Sequence, residues 1–149
     1  MRPMADQDRF ARAVQIVARG LGRISRERAR ADGVTPQQAE TLQLIAERGA
    51  VSTSTLAQLL GIDPSTASRN LAGLQEDGLV TRKKASEDGR QTDVRLTPKG
   101  KRAADATIAS ASQALAAVLD KINRGERQKV LDALEALAKI MDGDLPSGA

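Results

Sequence analysis

The side chains best placed to do chemistry in this chain lie between Asp63 and Arg90, and their chemistry is recognition of a polyanion. The run Asp63-Pro64-Ser65-Thr66-Ala67-Ser68-Arg69 reads as a helix start, with Asp63 as the cap and Pro64 at the first helical position. At roughly 100° per residue, Ala67, Leu71 and Leu74 fall on one side of that helix. Ser65, Arg69, Ala72 and Glu76 fall on the other, with Thr66 and Ser68 on the flanks. The exposed first half is therefore small and hydrogen-bonding, with one cation, which suits close entry into a major groove. Arg69 can fork onto guanine O6 and N7, and Ser65, Thr66 and Ser68 can reach base edges or phosphates. Glu76 repels phosphate and belongs outside the groove. Further along, Arg82, Lys83 and Lys84 lie on one predicted strand, and Arg90 sits near a polar tip. Arg90 suits a narrow minor groove, where negative potential concentrates, and Asp88 can orient it. Each feature also has an ordinary explanation: an exposed first turn, a solvated arginine, a loop kept soluble by mixed charge.

Other chemistries are poorly provided for. The 149 residues contain no Cys and no His. Disulfides, thiol redox sensing, thiolate or imidazole metal ligands and the usual general base are thereby removed. No nucleophile–base constellation takes their place, so neither an enzyme nor a cofactor is expected. The net charge is +4, unevenly spread: residues 1–31 hold eight Arg against three acids, and residues 63–102 hold nine Lys or Arg against six. This fits solvated surface or two basic zones facing a polyanion. With no apolar run of ~18 residues and a polar N-terminus, a soluble, cytoplasmic protein is expected.

The elements that must position these residues are mostly helical. Phe10, Val14, Val17, Leu21 and Ile24 form an apolar stripe on a first helix over 6–31. Thr35-Pro36-Gln37-Gln38 opens a second with a capping box, Ala39, Leu42, Ile45 and Ala46 form its inner face, and Gly49 ends it. Val51 suggests a short strand. Ser52 caps a third helix that ends at Gly61, and the fourth follows from Asp63 to about Asp77, so two short helices meet at a tight turn. The period then changes to two over 79–84 and 92–97, a hairpin around the tip 85–91. Thr97-Pro98 starts a long fifth helix with the stripe Ile108, Ala111, Leu115, Val118 and Ile122. Asn123 and Glu126 suggest the capping box of a sixth, with the stripe Val130, Leu134, Leu137 and Met141, and residues 144–149 form a frayed tail. The expected fold class is mainly α with a small β-hairpin wing: a winged helix-turn-helix over 35–98, flanked by helical dimerisation regions over 1–34 and 99–149.

In order, Leu56-Ala57-Gln58-Leu59-Leu60-Gly61-Ile62-Asp63-Pro64-Ser65-Thr66-Ala67-Ser68-Arg69, Leu71, Leu74, Gly78-Leu79-Val80, Arg82, Asp88-Gly89-Arg90 and Val94-Arg95-Leu96-Thr97-Pro98-Lys99-Gly100 resemble the helix-turn-helix, wing and exit of MarR-type regulators. The D-x-R wing tip and the L-T-x-x-G exit make the resemblance specific, and the flanking helices match in order and length. The resemblance implies a bacterial transcription regulator, most often a repressor, that binds double-stranded DNA as a homodimer. Ser65, Thr66, Ser68 and Arg69 fall where the family contacts DNA from its recognition helix, and Asp88 and Arg90 fall on its wing pair. A pseudo-palindromic operator follows from the two-fold symmetry. The family also implies a small anionic or phenolic effector, which an Arg of the first helix, such as Arg12 or Arg19, could receive. Two other functions stay open at this point: a sequence-independent architectural DNA binder, motivated by the basic first helix, and a winged-helix protein-interaction module.

Overall fold

The computed structural model describes residues 4–84 and 92–143. Four helices, a hairpin and two further helices follow one another: α1 (Asp6–Asp32), α2 (Pro36–Arg48), α3 (Thr53–Leu60), α4 (Pro64–Glu76), β1 (Val80–Lys84), β2 (Thr92–Leu96), α5 (Pro98–Asp120) and α6 (Arg127–Asp142). The expected stops and starts are set by short-range chemistry. Thr35 Oγ1 accepts from the Gln38 N–H while the Gln38 side chain accepts from the Thr35 N–H, a complete capping box on α2. Ser52 and Asp63 cap α3 and α4 in the same manner, each accepting from the N–H three residues on. Gly61 closes α3 at φ 65°, a left-handed conformation that lets α4 restart three residues later.

The core gathers where α2, α3, α4 and the hairpin converge: Leu42, Ile45, Val51, Leu56, Leu71, Leu74, Leu79, Val80, Val94 and Ala104 form one buried cluster. β1 and β2 are antiparallel, with Val80 opposite Leu96 and Arg82 opposite Val94. Val51 adds a single bridge to Val94, exchanging both backbone hydrogen bonds at 3.1 and 2.8 Å. Two side-chain ties reach further along the chain. Buried Thr41 of α2 donates to the Gln37 carbonyl and accepts from Asn70 Nδ2 of α4 at 3.1 Å. Arg28 of α1 donates to Ser110 Oγ at 3.1 Å and to the Thr107 carbonyl of α5.

Two details differ from the sequence reading. Ala46 is exposed, and Thr41 takes its place on the inner face of α2. Asn123 is not the start of a capping box on α6; its side chain accepts from the Gly125 N–H and caps a 3₁₀ turn over Arg124–Glu126, after which α6 begins without a side-chain cap. The compact units are Met1–Ala111 and Ser112–Ala149. Neither α1 nor α6 buries a residue, so their apolar stripes remain open.

Candidate nucleic-acid interface

The turn at Gly61–Asp63 presents the first half of α4 outward while Ala67, Leu71 and Leu74 anchor its other side in the core. Asp63 organises that presentation. Its Oδ2 accepts from the Thr66 N–H at 3.0 Å and from the Ser65 hydroxyl, and its Oδ1 accepts from Thr66 Oγ1 at 2.7 Å. These donors, the Ser65 and Thr66 hydroxyls first, hold the Asp63 carboxyl well below the usual carboxylate range. The hydroxyl protons of Ser65 and Thr66 are thus directed at Asp63, leaving oxygen lone pairs facing out. Such oxygens accept from cytosine N4 or adenine N6; to donate to a phosphate they must first leave Asp63.

Arg69 is exposed, one turn further along α4. Its single hydrogen bond among the described residues is a long one, Nη2 to Thr66 Oγ1 at 3.3 Å, which leaves most of its five donors open. Ser68, beside it, is half-buried and accepts from Arg82 Nη1 at 3.4 Å, and the Arg82 Nε donates to Gln75 Oε1 at 3.1 Å. Ser65, Thr66, Ser68, Arg69 and Arg82 are therefore brought together on and against one helix. Lys83 and Lys84 are exposed on β1, and Lys83 stands opposite Asp93, which pairs with Arg95 at 3.0 Å. Asp88 and Arg90 lie outside the described residues. Sequence reading missed Asn70 and Gln75, the polar contacts of α4 to α2 and β1. Their partners are remote in sequence, so no local pattern marks them.

Beside the winged region, α1 and α2 frame a shallow cleft of about 290 Å³ lined by Ser25, Arg28, Ala29, Asp32, Pro36, Ala39, Glu40 and Gln43. Arg12 and Arg19 do not line it. Its one cation, Arg28, already serves Ser110 and Thr107. Among the described residues no group of three acidic side chains is arranged to hold a metal ion, and no helix is long and apolar enough to cross a membrane.

Residues 32–91, from the last residue of α1 to the residue before β2, match the family model described as the MarR family. Over that stretch the chain is similar to the MarR family. An HTH-type transcriptional regulator of Bacillus subtilis is 28% identical over 102 residues, 68% of this chain but only 62% of that protein, so less than two thirds of it is spanned. Another, from Mycobacterium bovis, is 29% identical over 140 residues, 93% of this chain and 98% of that protein. The structure of a MarR family protein from Bacillus stearothermophilus superposes with a TM-score of 0.81 at 24% identity, covering 94% of this chain and 99% of that one, which is a likeness of fold. The mostly helical fold with a two-stranded hairpin is the one shared with that solved structure.

Proposed function

We propose that this protein is a MarR-type regulator: a cytoplasmic, homodimeric repressor of a pseudo-palindromic operator. One observation carries the reading: the first half of α4 is held outward with Arg69 exposed and nearly all of its donors open. In this reading α4 enters the major groove, Arg69 forks onto a guanine and Ser65, Thr66 and Ser68 contact neighbouring base edges or phosphates. Lys83 and Lys84 approach the backbone from the wing, and Arg90, oriented by Asp88, enters the adjacent minor groove. The residues over 1–34 and 99–149 supply the dimer contacts, and the dimer occludes polymerase while bound. A small anionic or phenolic effector would act through the cleft between α1 and α2. An anion gains Arg28 there only by displacing it from Ser110 and Thr107, and it meets Asp32 and Glu40 on the same walls.

Selection from a random duplex library, followed by affinity measurements across a salt series, tests the reading. A palindromic site with half-site centres ~10 bp apart, preferred by about 10³-fold or more over a scrambled duplex, is the expected result. A second reading rests on α1, where Arg9, Arg12, Arg19, Arg23, Arg26 and Arg30 are all exposed. Flat affinity across sequences, falling steeply with salt, would favour that architectural role. No binding to duplex DNA at low salt would favour a protein-interaction module.

A further inference from the structure

Among the described residues, Arg82 is the one basic residue of the hairpin whose side chain turns back onto α4. It lies two residues after Val80 on β1, opposite buried Val94, so strand alternation aims it toward the body of the domain. Its Nε and Nη1 donate to Gln75 Oε1 at 3.1 Å and Ser68 Oγ at 3.4 Å. Ser68 and Gln75 are seven residues apart, two turns along the same side of α4. A planar guanidinium donates to both acceptors at once, which the point-like ammonium of lysine does less well. Both acceptors are neutral, so the pairing orients Arg82 without neutralising it.

From this geometry we infer that Arg82 is a positioning residue for operator recognition: it braces the wing against α4 and sets the angle between the two. The backbone at that corner is short. Only Asp77, Gly78 and Leu79 separate α4 from β1, and Leu79 is tied back by its N–H to the Leu74 carbonyl at 2.9 Å. A hairpin joined through three residues can still pitch about the corner unless a side chain spans the angle. The brace matters because α4 and the wing must enter neighbouring grooves together, so a change of pitch costs register at bases while leaving phosphate attraction intact. This rests on the DNA-binding reading given above.

The test compares Arg82→Ala, Gln75→Ala, their double variant and Gln75→Glu in the full chain. Affinity for the selected operator and for a scrambled duplex is measured over a salt series, with thermal unfolding alongside. A positioning role predicts that each alanine variant lowers the operator-to-scrambled preference by about 5-fold or more, the size of one disturbed base contact. The double variant should be no worse than Arg82→Ala, because both remove one brace. Gln75→Glu, which retains an acceptor, should keep the preference, and the log–log salt slope should stay unchanged throughout. The inference is overturned if Arg82→Ala weakens both duplexes equally and reduces the slope by about 0.9 per subunit, as loss of a phosphate contact does, while Gln75→Ala is silent. Should Arg82→Ala fail to fold, the two Gln75 variants decide: equal preference in both overturns the brace, and loss only in Gln75→Ala supports it. A wild-type chain without operator preference defeats the DNA-binding reading itself, a result visible before any variant is made.

Discussion

Arg69 and Asp63 sit within two turns of each other on the same exposed helix start, and their chemistry separates recognition from folding. Arg69 makes only the 3.3 Å contact to Thr66 within the described residues, so removing it leaves no buried partner stranded. Arg69→Ala should therefore unfold at the same temperature as wild type while losing about 1–3 kcal/mol of operator binding. Its discrimination at the contacted base pair should vanish, which affinities for operators changed at single positions would reveal. An unchanged base preference would reduce Arg69 to a phosphate contact. Asp63 acts on folding. Its carboxyl is held below the ordinary range by the hydroxyls of Ser65 and Thr66 and by the Thr66 N–H. A carboxylate whose pKa is depressed on folding adds stability that is complete above its unfolded value, near 3.9, and is lost as pH falls through that value toward the folded one. Asp63→Asn keeps a capping oxygen but cannot titrate. Urea midpoints between pH 7 and pH 3 should thus fall less steeply for the variant than for wild type, and parallel curves would exclude Asp63 as a source of acid lability.

Between elements, the tightest constraint is where α5 leaves the hairpin. Thr97 Oγ1 donates to the Gly78 carbonyl at 2.6 Å and accepts from the Gly100 N–H at 3.0 Å, and Lys99 Nζ donates to the Asp77 carbonyl at 2.8 Å. Gly100 is pressed so closely on the α4–β1 corner that an added Cβ would stand 1.9 Å from the Leu79 carbonyl oxygen. Backbone has to move to make room, so Gly100→Ala should cost roughly 1–3 kcal/mol or more in urea unfolding. An unaltered midpoint would show that α5 lifts off the corner at little cost. The motif Leu96-Thr97-Pro98-Lys99-Gly100 is visible in the sequence, but the close approach behind its glycine is not. The same division runs through the fold. Thr35, Ser52 and Asp63 were legible as caps because a cap is decided within three residues. Asn123 was misread because an Asn followed by an acidic residue three on suits a capping box and a 3₁₀ turn alike. Arg82 was legible as basic wing surface, yet its hold on Gln75 and Ser68 was not, nor was that of Asn70 on Thr41. These contacts join residues 7 to 29 apart, and only the packed corner brings them together.

For the molecule as a whole, the open apolar stripes decide which assembly can bind DNA. On α1, Phe10 is 60% exposed and Val17 53%, while on α6 Leu134 is 53% exposed and Met141 57%. Neither helix contributes a buried residue, and both carry these side chains in helical register. Isolated apolar residues on a surface are ordinary, but two continuous stripes are not, and a second copy of the chain brings matching ones. A stable dimer buries about 1,200–2,000 Å², which two long helices per subunit can supply. Association then contributes to folding, so the unfolding temperature should rise with protein concentration. Leu134→Glu combined with Met141→Glu should abolish that dependence, lower the unfolding temperature and shift sedimentation from dimer to monomer. With α4 and the wing untouched, the same variant should keep weak binding to a half-site and lose the gain that the full palindrome gives wild type, since each monomer would bind independently. A wild-type chain that sediments as a monomer at micromolar concentration would remove the two-fold axis. The symmetric operator would go with it, because nothing else among the described residues would hold two α4 helices one turn of DNA apart.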